Sequence, residues 1–350
     1  MGRVSDVALS VLDLAPVVHG ATAAQALQES VLLAQLAERL GYTRVWYAEH
    51  HNMPGIASSA PPVLIAHIAA RTDRIRVGSG GVMLPNHSSL IVAEQFGMLE
   101  TLHPGRIDLG LGRAPGTDGP TAAALRRTSD PFGLEDDFPD QLTELRGFLQ
   151  GSLPDGHPYR GVRAVPQPAH EPQIWLLGSS GFSAQLAGQL GLPFSFAHHF
   201  MAENTEPAVR LYRSSFQASE TLAAPRVSLG VNVVAAEDDA RAEYLAAPAN
   251  LQFLRLRQGR PGRLPTPEEA ASHPYSAAER AFLEQRRASQ IVGGPDTVRR
   301  GIEELLARTN ANELVITTMV HDGEDRRRSY ELVAEAMDLA PREVAPPAAA

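Results

Sequence analysis

The feature that most constrains this chain is a repeated alternation of short β-branched runs with amphipathic stretches. Each such pair is a unit of a right-handed βαβ crossover, which forces successive strands to run parallel. Residues 7–14, 44–49, 75–84, 106–111, 174–177, 193–197, 227–234 and 313–319 read as strands. Between them, residues 22–40, 61–71, 90–102, 141–149, 296–306 and 324–337 read as helices. In the first of these Leu27, Val31, Ala34, Leu36 and Leu40 form the apolar face and Gly41 the stop. Eight βα units are the number at which a parallel sheet closes, so the expected fold is α/β, a TIM-type (β/α)₈ barrel. An open doubly wound sheet would carry a Gly-rich turn right after its first strand, and Asp13-Leu14-Ala15-Pro16 has no glycine. Residues 1–340 read as one barrel domain with insertions at about 114–139 and 247–290, and residues 341–350 as a flexible tail.

A length of 350 residues suits one such barrel. The excess of 40 Asp+Glu over 31 Lys+Arg gives a net charge of −9, which excludes nucleic acid and anionic membrane as expected partners. With no cysteine in the chain, thiolate metal sites, cysteine nucleophiles and disulfides are ruled out. No apolar run is long enough for a membrane helix or signal peptide, and the protein reads as cytoplasmic.

In a barrel the residues ending each strand converge on one mouth, so polar groups there are the candidates for chemistry. Strand two ends in Glu49-His50-His51-Asn52 directly after Val45-Trp46-Tyr47. An imidazole beside a carboxylate is suited to proton transfer near neutral pH, whereas the bland alternative is a solvated loop opening. A zinc site from Glu49, His50, His51, His198 and His199 is disfavoured because adjacent strand-end side chains face opposite ways, and no metal is expected. Strand three ends Gly78-Ser79-Gly80-Gly81, either a bulge or a flat surface for a ring system. Strand four ends Gly110-Leu111-Gly112-Arg113, offering a planar cation to a phosphate or carbonyl unless a surface carboxylate neutralises it. After strand five, Gly178-Ser179-Ser180-Gly181-Phe182 feeds a helix, an arrangement that either binds an anion or merely caps the helix; it lacks the lysine of a P-loop.

Taken together these segments resemble the luciferase-like flavin monooxygenases. The stretches 40–51, 77–85, 103–113 and 178–182 match that family's strand-end motifs in order. The resemblance implies FMN at the barrel mouth, resting on Gly80 and Gly81, its phosphate near Gly178, Ser179, Ser180, Gly181 and Phe182 with Arg113 beside it. It also implies a non-prolyl cis peptide at Gly80-Gly81. His50, steadied by Glu49, would handle protons. The implied reaction uses reduced FMN from a separate NAD(P)H:flavin reductase and O₂, through a C4a-peroxyflavin, to hydroxylate or epoxidise an organic substrate such as an aromatic polyketide. The alternatives sharing this barrel are a deazaflavin (F420)-dependent dehydrogenase and a non-catalytic flavin-binding protein. The family's habits also imply a homodimer, with residues 46–51 and 65–102 offering apolar surface.

The chain departs from bacterial luciferase in three places. Gly112 stands where that protein has a reactive cysteine, Gly178 replaces the glutamate of its phosphate loop, and a second phosphate-binding arginine is missing near residues 136–141. Light emission is therefore not implied, and Arg126, Arg127 or Arg163 are the candidates to replace that arginine.

Overall fold

The computed structural model describes residues 7–114, 116–126 and 137–340. Its strands are β1 (Ala8–Asp13), β2 (Arg44–Tyr47), β3 (Arg76–Met83), β4 (Ile107–Gly112), β5 (Gln173–Gly178), β6 (Phe194–Phe196), β7 (Val227–Ala235), β8 (Gln290–Gly293) and β9 (Glu313–Thr317). They form one sheet in the order β6-β5-β4-β3-β2-β1-β9-β7-β8, and β6 also pairs with β7. That last pairing closes a ring of eight parallel strands, β1 to β7 and β9, as the βα count requires. The short β8 lies outside the ring, laid against the C-terminal half of β7 from Asn232 to Ala235.

The helices are α1 (Ala23–Leu40), α2 (Pro61–Ala69), α3 (Ser89–Leu102), α4 (Gly119–Arg126), α5 (Phe138–Gln150), α6 (Gly181–Gln189), α7 (Thr205–Ser215), α8 (Asp239–Arg257), α9 (Pro267–Ser272), α10 (Ala277–Arg287), α11 (Pro295–Thr309) and α12 (Gly323–Ala336). Helix α1 shows how local sequence sets its limits. Thr22 and Gln25 form a capping box at its start, and Gly41 takes the left-handed conformation at φ 89° that ends it. Its buried face, Ala26, Ser30, Val31, Leu33, Ala34 and Ala37, follows the helical period and packs on the sheet.

The 247–290 insertion carries regular structure: it begins inside α8, continues through α9 and α10, and runs into β8. Pro248 sits within α8, where its missing N–H argues for a break, but Pro248, Leu251 and Leu254 are buried and packing holds the helix through it. The 114–139 excursion contains α4, while residues 115 and 127–136 lie outside the described residues, as does the 341–350 tail. Residues 46 and 47, expected to offer surface to a second copy, do not: Trp46 and Tyr47 are buried in the barrel wall. Among the described residues no helix is long and apolar enough to cross a membrane.

Inside the ring the side chains are layered. At the N-terminal end of the strands Arg44 donates to Asp108 at 2.6 Å and to Glu313 at 2.7 Å, all three buried. Burial alone would discharge Arg44, but the two carboxylates outweigh it and hold its pKa above the ordinary value. Above this layer Trp46 and Trp175 meet edge to face with centroids 5.3 Å apart, and the Arg44 guanidinium stacks on both. Trp46 donates its indole N–H to Asp108 at 3.0 Å. Trp46, with Leu12, Ala48 and Val315, makes the floor of the mouth, and Trp175 packs in the same cluster.

Candidate active site

The mouth holds a cleft lined by residues of all eight ring strands, six of them at their C-terminal ends or just after, so its composition follows largely from what each strand ends in. The glycines of β3 are needed for close approach. A Cβ on Gly80 would stand 2.8 Å from Leu12 and 2.9 Å from Trp46, and one on Gly81 would meet the Gly110 carbonyl oxygen at 2.7 Å. The register with β4 shifts between Gly80 and Val82, and the Gly80-Gly81 peptide is cis. The strand-three glycines thus form a bulge and at the same time expose bare backbone to the cleft.

Alternation sorts the polar cluster after β2. His50 lines the cleft; Glu49 and His51 turn away from it. The expected support of His50 by Glu49 is not a hydrogen bond. The buried Glu49 carboxylate instead accepts from His51 Nε2 and His87 Nε2, both at 2.8 Å, and from the Met83 amide at 3.0 Å. Burial would raise its pKa, but these hydrogen bonds prevail and hold it at about 2. Glu49 therefore fixes β2 to the end of β3, and reaches His50 only through its charge. His50 is held from the other side: its Nδ1 donates to the Gly116 carbonyl at 3.2 Å, Thr117 bonds the His51 carbonyl, and Asn52 bonds Asp118. With Nδ1 committed, Nε2 is the ring atom left for the cleft. Burial, outweighing the Gly116 bond and Glu49, lowers its pKa below 6.5, so the ring is neutral at pH 7.

Arg113 also lines the cleft, its guanidinium carbon 4.4 Å over the Phe182 ring. It has no carboxylate partner among the described residues. Ser179 and Ser180 line the cleft beside it, and Ser180 occupies the N-cap of α6 without using its hydroxyl as a cap. Serine hydroxyls, free amides at a helix start and an unneutralised arginine thus converge on one spot, an arrangement suited to a dianion. Gly178 has no room for a side chain, since its Cβ would lie 2.7 Å from Ser183. Of the proposed replacements for a second arginine, Arg126 donates to Asn86 and Arg163 is exposed away from the cleft, while Arg127 lies outside the described residues.

Sequence reasoning undervalued His199, weighing it only as a zinc ligand. It follows β6 as His50 follows β2, and lines the cleft with its Nδ1 donating to the Gly230 carbonyl at 2.8 Å. Burial, only partly offset by that bond, holds its pKa at about 4. The neighbouring His198, buried near Arg308, is likewise held at about 4. A histidine whose folded value lies below its unfolded 6.5 contributes stability that is complete above pH 6.5 and is lost as pH falls toward 4. For His198 the shift corresponds to about 3 kcal/mol, and Glu49 extends the loss below pH 4.5. The urea midpoint should fall steadily from pH 7 to pH 4, and His198→Gln should flatten that slope. A midpoint constant across this range would contradict the buried neutral histidines.

Comparison with known proteins bears on this site. The family profile for luciferase-like monooxygenase matches residues 8–313. A luciferase-like monooxygenase of Escherichia coli (strain K12) is 46% identical over 333 residues, 95% of this chain and 97% of that protein. N-acetyl-S-alkylcysteine monooxygenase of Bacillus subtilis (strain 168) is 36% identical over 340 residues, 95% of this chain and 99% of that protein. Among solved structures, apo-MsnO8 is similar with a TM-score of 0.87 at 44% identity, covering 96% of this chain and all of its own. The oxygenating constituent of 3,6-diketocamphane monooxygenase of Pseudomonas putida, in complex with FMN, shares the fold at a TM-score of 0.70 and 18% identity, over 95% of this chain and 97% of its own.

Proposed function

Because the chain belongs to the luciferase-like monooxygenase family, we propose that it is an FMN-dependent monooxygenase of the two-component type. It would take reduced FMN from a separate reductase and oxygenate a small organic acceptor. The observation that carries this reading is Arg113, a cation without a carboxylate among the described residues, stacked on Phe182 at the start of α6 and facing a cleft that also holds the neutral His50. These groups fit a flavin phosphate at one end and a proton-handling imidazole at the other. Reduced flavin supplies the two electrons with which O₂ is divided between acceptor and water. The protein's own part is to bind the phosphate through Arg113, Ser179 and Ser180, to lay the bare backbone of Gly80 and Gly81 against the ring, to exclude water, and to move a proton at His50 Nε2.

Relatives suggest two acceptor classes. One is named for N-acetyl-S-alkylcysteine; another, 27% identical, is the 4-hydroxyprotoasukamycin monooxygenase of a Streptomyces. A homodimer through α2 and α3 is supported by the exposure of Val63, Ile91, Met98 and Leu102 on those helices.

The reading is tested by fluorescence titration with FMN and with riboflavin, which lacks the phosphate. The wild type should prefer FMN, and Arg113→Ala should weaken FMN by about 10–100-fold while leaving riboflavin unchanged. Equal affinity for the two flavins in the wild type would remove the phosphate site. Binding of a deazaflavin cofactor in place of FMN would turn the assignment to a dehydrogenase.

A further inference from the structure

The cleft is not isolated. It shares His199 and Phe200 with a groove of about 890 Å³ among α7, α8, α10 and α11. That volume is in the range of a small-molecule site. The groove in turn shares Phe253 and Arg286 with a narrower, mostly apolar pocket walled by Ile56, Val234, Leu256 and Val292. Arg286 stands where these two cavities meet, and its charge is felt at His199.

The surroundings of Arg286 are unlike those of its neighbours. Arg255 and Arg287 each pair with a glutamate. Arg286 has no carboxylate partner among the described residues. Its guanidinium stacks 4.1 Å over Phe253, donates once to Asn250 at 2.8 Å, and keeps a buried Nε with no acceptor. Asn250 is itself fixed by Gln290, so the fork is held in place. Burial lowers its pKa only to about 10, leaving it charged at neutral pH. A half-buried cation with no counter-ion among the described residues is unfavourable in the free protein, and an anion bound at its terminal nitrogens would relieve that deficit.

The geometry points to Arg286 as the residue that receives the carboxylate of the organic acceptor, with the hydrocarbon body running from there along the groove, beside Phe253, Phe282 and Phe200, toward the cleft. A planar carboxylate matches the guanidinium fork, and the surrounding apolar wall favours one anionic group on an otherwise hydrophobic molecule. The acceptor's other end would reach the cleft past His199 and Phe200. This inference rests on the oxygenase reading for what happens there, but not for the binding itself.

The test uses octanoate and its neutral partner methyl octanoate, titrated calorimetrically into wild type, Arg286→Met and Arg286→Lys, with FMN titrated into all three proteins in parallel. The wild type should bind octanoate at least about tenfold more tightly than the ester. Arg286→Met should lose that preference while binding FMN normally, and Arg286→Lys should keep part of it. Thermal unfolding gives a second readout: an arginine serving only the fold would lower the melting temperature when removed, whereas removing an unsatisfied charge should leave it unchanged or raise it. No preference for the acid, no octanoate binding, or a preference that survives in Arg286→Met would each overturn the assignment. Failure of FMN to bind the wild type would instead sink the oxygenase reading and leave the carboxylate result to stand by itself.

Discussion

Replacing His50 by alanine is expected to leave FMN affinity within about threefold of wild type while lowering oxygenation turnover by about 10²–10⁴-fold, the contribution typical of a positioned acid–base group. Oxygen consumed by the variant should appear as hydrogen peroxide. The expectation follows from how the ring is held. The Gly116 carbonyl accepts a hydrogen bond from Nδ1–H, burial keeps the imidazole neutral, and Nε2 is left in the cleft as a base. His50→Gln keeps a polar group but cannot exchange a proton, so it should fail to the same degree. The measurements are fluorescence titration with FMN and the ratio of peroxide formed to oxygen consumed in a reductase-coupled assay. They use the best acceptor found for the wild type. Full turnover in His50→Ala would remove the residue from proton handling and pass that role to His199.

That fallback exposes where sequence reasoning was strong and where it was blind. The barrel was legible because eight apolar runs at the βα period admit few closures, and the mouth was legible because polar residues right after apolar strands must gather there. His50, Arg113 and Ser179 all meet at one cleft for that reason. The same rule applied to Phe196-Ala197-His198-His199 would have ranked His199 beside His50. Glu49 was harder. Its neighbour in sequence is His50, but alternation sends its carboxylate to His51 and, across the strands, to His87, a residue whose place no local pattern announces. Arg286 was out of reach for another reason. It lies on a helix whose exposed-looking composition suggests a solvated insertion, and it becomes special only when α10 and α8 bring Phe253 and Asn250 against it. Long-range packing also carried α8 through Pro248, against its local propensity.

The same distance in sequence hides the barrel's inner support, where the largest stability effect is expected. Arg44→Met should destabilise the protein by about 3–5 kcal/mol, because it leaves Asp108 and Glu313 buried without their shared central cation. Arg76 and Arg226 also reach these carboxylates, but their side chains are 28% and 34% exposed and bind from the rim. They soften the loss without replacing Arg44. Methionine keeps the apolar stem, so the space lost is confined to that of the guanidinium end. A double-mutant cycle separates charge from packing: once Arg44 is gone, Glu313→Gln removes a charge left with only the rim-bound Arg226 and should cost far less than it does in the wild type. Urea unfolding followed by circular dichroism would read both terms. Strictly additive losses would mean that Arg44 acts through its stacking on Trp175 and on Trp46, which lines the cleft, and FMN affinity should then fall with stability. If the ion network is the cause, FMN affinity should hold in Arg44→Met at temperatures where the variant remains folded, because the tryptophans stay wedged against each other above the altered layer.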